Sequence, residues 1–399
     1  MSQNSLILPT TGTVSGLQMT QDLNYALDTL NTLNSGASAP GTAEAGMLWH
    51  DTTNNLIKLR NLANSAWIVV GAVDETNGIF IPVNAFTPVP QGRLTLASNT
   101  PVMNADATAQ ASIYYAPYNG NALPIYNGAE FIAGIFAQLT LTLNSTNHPA
   151  SEVFDIYVSL QSGTPTLSAM YWGGTSSRST SAGGKTGTGN ASITQKNGIW
   201  VNNAAISSSD SFNGSTGYAI AQYQGTYLGT FYTTAAGQTS VTLTPTPASG
   251  GTGNIIGLYN AYNRVRCCAM EREAATNWTY NSATWRPSNN STSNRITFLD
   301  GLQQTFVSAM FDCMITAPSS GNSAIGIGLN STTAFTGAIG DTDLSNNTSI
   351  HASLEAYPVL GLNYVQALEA VLNGSTGTFS GEVVSTGNYV YCLALAWEM

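Results

Sequence analysis

Two acidic constellations carry the residue types best suited to chemistry. Asp341 and Asp343 stand two apart in Gly340-Asp341-Thr342-Asp343-Leu344-Ser345-Asn346-Asn347, with His351 just beyond. Such a pair can bind a cation or cleave a glycan, which needs carboxyl groups about 5 to 9.5 Å apart. Asp, Asn and Ser in a turn also cap their own backbone, and that plainer reading is preferred. Glu271 and Glu273 form the second pair, expected on one strand face with Arg264, Arg266 and Arg272 on the other, where ion pairs account for them as well as catalysis does. His50, His148 and His351 fall in no H-E-x-x-H spacing, and no serine lies in G-x-S-x-G. Cys267, Cys268, Cys313 and Cys392 lack the paired spacing of a zinc site and are expected as free thiols. The sequence therefore predicts no catalytic residue, no metal and no cofactor.

The aromatic groups point to binding. Trp278, Tyr280 and Trp285 crowd one stretch, and Tyr114, Tyr115, Tyr118 and Tyr126 another. A flat ring beside Asn, Asp or Thr can stack on a sugar while the polar neighbour bonds its hydroxyls. Candidate receptor-binding residues are therefore Asp341, Asp343, Asn346, His351, Trp278, Tyr280 and Trp285, acting through hydrogen bonds and stacking. Residues 336–351 are expected to be the longest polar loop of the C-terminal region, where a rigid scaffold concentrates binding groups.

Composition narrows the partners. Charged residues are only 8 % of the chain, against about 25 % in an ordinary soluble domain. Solubility then rests on Ser, Thr, Asn and Gly, and the abundance of Val, Ile, Thr and Tyr favours strands. A net charge of −10, with 11 widely spread Lys and Arg, argues against nucleic acid, whose backbone is held by cationic clusters. No apolar run approaches the about 18 residues of a membrane span, and no leader-like segment opens the chain. A soluble, cytoplasmically made protein without membrane insertion is expected.

Elements that position these residues are short strands, after one helix. Leu23, Leu27, Leu30 and Leu33 recur three to four apart, with Leu17 ahead of them, over residues 17 to 33, behind Thr13 and Ser15 as caps. A lone amphipathic helix followed by the linker Ser35-Gly36-Ala37-Ser38-Ala39-Pro40 needs copies of itself or a socket. Residues 39–73 read as a small hairpin module with Trp49 and Trp67 flanking the alternating Leu56-Ile57-Lys58-Leu59-Arg60. Alternation continues in 138–143 and 154–160, and further strands are expected at 294–298, 323–329 and 389–397, the last apolar on both faces for much of its length. Residues 173–189 and 246–254 are turn-rich.

The pattern Met47-Leu48-Trp49-x-Asp51-Thr52, Lys58-x-Arg60-Asn61 and Trp67-x-x-Val70-Gly71 resembles the hairpin module near the N-termini of tailed-bacteriophage fibre proteins. The resemblance continues through Gly92-Arg93-Leu94-Thr95-Leu96, Ile113-Tyr114-Tyr115-x-Pro117-Tyr118, Pro124-Ile125-Tyr126-Asn127-Gly128, Asn197-Gly198-Ile199-Trp200-Val201-Asn202 and Thr226-Tyr227-Leu228-Gly229-Thr230. It extends more weakly to Gly328-Leu329-Asn330-Ser331-Thr332-Thr333-Ala334.

The resemblance implies a virion fibre assembled in the host cytoplasm: an elongated homotrimer anchored to tail, adaptor or capsid proteins by its N-terminus. Its C-terminal end would face a bacterial surface glycan or outer-membrane protein. Leu17, Leu23, Leu27, Leu30, Leu33, Trp49 and Trp67 would then serve attachment and trimerisation, three copies burying what one leaves wet. The expected fold is mainly β: an attachment segment (1–38), the hairpin module (39–73), and two antiparallel, jelly-roll-like β-sandwich domains (74–286 and 287–399). A polysaccharide-degrading tailspike and a collar or decoration fibre without a receptor are the alternatives; no fixed-period repeat of the kind a parallel β-helix needs is present.

Overall fold

The computed structural model describes residues 11–76, 78–82, 89–318, 321–372, 375–383 and 388–399. Among the described residues the protein is mainly β with one α-helix, and its strands form several sheets. It divides into two units, residues 1–88 with 131–135, and residues 89–130 with 136–399.

In the first unit the helix spans Gly16–Asn31, and the Ser15 hydroxyl accepts from the Gln18 N–H at 3.1 Å, the N-cap bond that sequence spacing implied. Its end differs from expectation. Leu33 lies beyond the last turn with φ of 53°, and Asn34 N–H closes back on the Thr29 carbonyl at 2.8 Å. The left-handed step turns the chain toward the strands, so Leu33 is not part of the helical stripe. The buried helix residues are Ala26 and Thr29, while Leu17, Leu23, Leu27 and Leu30 are 71, 45, 50 and 55 % exposed.

The hairpin module is a four-stranded antiparallel sheet of Leu48–Asp51, Leu56–Arg60, Trp67–Asp74 and Ile79–Pro82. It therefore runs past the expected limit at residue 73. Trp49 and Trp67 meet edge to face at 5.3 Å, Lys58 lies over the Trp49 ring at 4.6 Å, and Arg60 over Trp67 at 5.4 Å. Lys58 also pairs with buried Asp51 at 2.7 Å, which, against its burial, holds that carboxyl below its ordinary pKa. Trp49 donates to the Gly36 carbonyl and is 6 % exposed. One copy thus buries Trp49 unaided, correcting the expectation that three copies are needed to cover it; Trp67 stays half-buried.

In the second unit, an eight-stranded sheet centres on Thr226–Tyr232, Val153–Gln161 and Thr164–Tyr171. Another eight-stranded sheet carries Gly340–Thr342, Ser323–Leu329, Gly361–Val371, Arg295–Asp300, Asn254–Ile256, Thr239–Val241 and Ala107–Gln110 in that order, with Arg286–Pro287 attached. A six-stranded sheet joins Arg266–Glu271, Tyr391–Glu398, Val307–Thr316, Gly377–Ser380 and Asn277–Tyr280, with Thr348–Ala356 on the far side of 307–316.

These pairings correct the expected boundary at 286/287. Strands from either side of it are hydrogen-bonded together within both of the last two sheets, through the parallel pair Asn254–Ile256 and Arg295–Asp300 in one and through Arg266–Glu271 and Asn277–Tyr280 in the other. Backbone hydrogen bonds that complete one sheet from both segments leave no linker to separate them. The 391–398 strand also departs from expectation. It alternates, with Tyr391, Leu393, Leu395 and Trp397 buried and Cys392, Ala394 and Ala396 half-buried on the opposite face.

Candidate functional site

The segment expected as a polar loop is only partly one. Asp341 lies in the strand Gly340–Thr342 and His351 in Thr348–Ala356, because each completes a neighbouring sheet through 323–329 and 307–316. The true turn is 343–347, holding Asp343 and Asn346, both exposed. Asp341 Oδ2 accepts from the Asn322 side-chain amide at 3.1 Å, and His351 Nδ1 lies 2.9 Å from Asp312 Oδ1. Asp341 and His351 thus stand on different sheets with different side-chain partners, although the backbone of Gly340 lies against that of His351.

An aromatic shelf forms beside Asp341. Trp285 packs on Phe335 with ring centroids 5.0 Å apart. Gly326 makes the seat for them: a Cβ there would lie 2.9 Å from Phe335 Cβ, 3.3 Å from the Trp285 ring and 3.4 Å from Ile339. Thr336 N–H reaches the Ile327 carbonyl at 2.7 Å, holding the segment down on its strand. Phe335 and Ile339 remain 43 and 36 % exposed. Half-buried Trp285, exposed Phe335 and Ile339, and the Asp341 carboxylate make a surface able to stack on and hydrogen-bond a sugar ring. Sequence reasoning named Trp285 and Asp341 but missed Phe335 and Ile339. Their only sequence signal is proximity to the turn Asn330-Ser331-Thr332-Thr333.

Trp278 and Tyr280 do something else. The Trp278 indole donates to Glu369 Oε2 at 2.6 Å and stacks on Phe379, while Tyr280 covers Arg286 at 3.8 Å and donates to the Thr284 carbonyl. Arg286 pairs with Glu369 at 2.7 Å, and Ser288 Oγ and the Asn289 N–H complete the carboxylate's shell. Burial raises the Glu369 pKa, opposed by Trp278 and Arg286. This cluster positions the 286–290 segment and is structural.

The second acidic pair is also structural. Glu271 and Glu273 are both fully buried and accept from backbone N–H groups of 250–253, Glu273 adding the Asn289 and Asn294 amides. The turn-rich stretch 246–254 is thus tied down by side-chain acceptors, not by the ion pairs that the sequence implied. Among Tyr114, Tyr115, Tyr118 and Tyr126, Tyr115 is buried and its hydroxyl accepts from the Gly92 N–H, Tyr126 lies under Lys196 at 4.3 Å, and Tyr118 alone is exposed. The cysteines are free thiols. No group of three or more His, Cys, Asp or Glu able to hold a metal occurs among the described residues.

Two polar features were not legible. Arg93, fully buried, donates to the main-chain oxygens of Pro101, Asn263 and Met399 and lines a cavity of about 330 Å³ with Cys267, Cys268 and Met270. Asp155, 1 % exposed, accepts from Nε and Nη2 along one edge of the Arg178 guanidinium.

His148 gives a pH prediction. It is fully buried against Phe154 and Phe231, its Nδ1 accepts from the Asn144 N–H, and burial lowers its pKa to about 4. An unfolded histidine takes a proton near pH 6.5. The native state refuses it until about pH 4, so stability is lost as pH falls between those values, by about 3 kcal/mol in total. Urea unfolding of wild type and His148→Gln at pH 7, 5.5 and 4 should show the difference between them shrinking toward acid. Glu271, Glu369 and Asp300, whose pKa values burial raises, act with the opposite sign but are common to both proteins. A pH-independent difference would show that His148 does not titrate this way.

No protein-family model and no curated protein matches the chain. Among solved structures it is similar to the insecticidal delta-endotoxin Cry8Ea1 from Bacillus thuringiensis, at 8 % identity over 77 % of this chain and 52 % of the toxin, with a TM-score of 0.19. The Bacillus thuringiensis Cry1Da tryptic core gives 9 % identity over 73 and 48 %, TM-score 0.16. An exo-beta-1,3-galactanase from Phanerochaete chrysosporium gives 11 % over 88 and 64 %, TM-score 0.15. The chain spans about half the length of these toxins. Likeness at such scores carries no argument about fold or activity.

Proposed function

We propose that this chain is a structural fibre subunit of a tailed-bacteriophage virion, a homotrimer anchored through its N-terminal helix and hairpin module and binding a bacterial surface glycan or protein with its far end. In this reading the sheets of residues 89–399 stack as jelly-roll-like sandwiches in an elongated trimer. The observation that carries it is the helix, which buries Ala26 and Thr29 yet leaves Leu17, Leu23, Leu27 and Leu30 at 45–71 % exposure. A leucine stripe of that kind is stable in water only when covered.

A second observation favours binding at the 343–347 turn. Within the second unit, residues 90–93 are bonded to Asn263 and, through Arg93, to Met399, where the 391–398 strand ends. The 343–347 turn lies past the opposite end of the 307–316 and 348–356 pair, whose register from Val307 to Ile315 spans about 27 Å at 3.4 Å per residue. The aromatic shelf and Asp341 share the 335–343 segment that enters this turn.

Sedimentation velocity on the intact protein should return three times the chain mass; a stable monomer at micromolar concentration overturns the reading. A glycan array run beside a reducing-sugar assay should give binding without release. Sugar release would instead identify a tailspike, and neither signal a collar or decoration fibre.

A further inference from the structure

The six-stranded sheet buries one face completely: Tyr391, Leu393, Leu395, Trp397, Phe311 and Ile315 are at most 1 % exposed. Its opposite face is unusual for one left to water. Register aligns it in rows across four adjacent strands, Cys268 with Ala396, Ser308 and Glu355, then Met270 with Ala394, Met310 and Ser353. An antiparallel sheet facing solvent carries mostly polar and charged side chains there. Here the centre is alanine, methionine, cysteine and serine, and Met310 is 49 % exposed.

Charge stands at the rim. Arg266 lies on one edge strand, opposite Glu398 at the sheet's end, and Glu355 on the other edge strand. Asp312 and His351 pair across the next row. Arg266 and Glu355 sit on strands three spacings apart, about 14 Å. An apolar centre within a charged rim is the anatomy of a protein interface. Small side chains also let a second sheet approach to about 10 Å.

We infer that this face is a contact surface between copies of the chain, the Arg266 edge of one copy lying beside the Glu355 edge of the next. This face carries Arg266 at one edge and Glu355 at the other, so each copy supplies the complement of the other, whether in a two-fold pair or in a head-to-tail ring. The number of copies rests on the trimer reading; the surface does not.

The test uses the full-length protein and two readouts, mass by sedimentation velocity and the alkylation rate of Cys268 by iodoacetamide. Cys268 is exposed in the single chain, so a covered face should slow its modification at least ten-fold relative to Met310→Glu and Ala394→Arg. Both substitutions point away from the buried face, and an unchanged melting temperature of the isolated variants checks that each folds. Glu355→Arg should likewise speed alkylation, and adding Arg266→Glu should restore protection. Fast alkylation of wild-type Cys268 in a protein whose mass is that of an oligomer overturns this surface while leaving the trimer reading intact. A wild-type monomer overturns both.

Discussion

Asp155→Ala is expected to destabilise the protein by about 3–5 kcal/mol, the cost of leaving a buried charge without its partner. Arg178 reaches Asp155 Oδ1 at 2.8 Å, donates to the Gly301 carbonyl at 2.9 Å, and lies over the Trp172 ring at 4.2 Å. Burial opposes its charge, and Asp155 more than restores it, raising its pKa above the ordinary arginine value. Thr230 Oγ1 also donates to Asp155 at 2.8 Å, with the Tyr227 hydroxyl 2.6 Å from Thr230. Removing the carboxylate strands the buried guanidinium and the hydroxyl chain together, and each loses a partner that burial makes costly to replace. Urea denaturation should show the loss in ΔG. The pair Asp155→Leu with Arg178→Met should recover part of it, since an apolar replacement leaves no charge behind. A single-mutant loss under about 1 kcal/mol would mean water reaches this network.

In the proposed trimer, Leu27→Asp is expected to separate the N-terminal segments, at a cost of several kcal/mol per trimer, because each copy would place a poorly solvated charge in an apolar seam where the charges repel. Leu27 is 50 % exposed in the single chain, so the substitution should leave the circular dichroism of the dissociated chain unchanged. Ala26→Asp provides the contrast. Ala26 is buried within one copy, so its substitution should disturb the module itself. Measured in the Met310→Glu background, so that the sheet face inferred above does not hold copies together, a sedimentation coefficient equal to that of Met310→Glu alone, at a concentration where that variant is oligomeric, would show that Leu27 faces no seam. Protection of Leu27→Asp from protease at the wild-type rate would count the same way.

The limits of sequence reading are visible in particular residues. The cap at Ser15, the strand at Ser323–Leu329 and the alternation at 154–160 were legible because each depends on near neighbours: a side chain three residues from an N–H, or a period of two. The same alternation places Asp155, Tyr157 and Ser159 on a strand face that a local rule would give to solvent. The structure buries them, at 1, 0 and 3 % exposure. Arg178, from the turn-rich 173–189 stretch, crosses 23 residues to neutralise Asp155.

What the sequence determined by itself was the β class, the N-terminal helix with its leucines, the free thiols and the turn-rich stretches 173–189 and 246–254, all consequences of composition and short-range periodicity. Tertiary structure alone decided which polar residues work inside and which face outward. Glu271, Glu273 and Glu369 became buried acceptors, Trp278 became a strut for Glu369, and Trp285 met Phe335 over Gly326. The reason is that strands 107–110, 239–241, 254–256 and 295–300 complete one sheet across more than 180 residues. Their pairing is fixed by hydrogen bonds and packing between distant segments, for which a linear pattern carries no register.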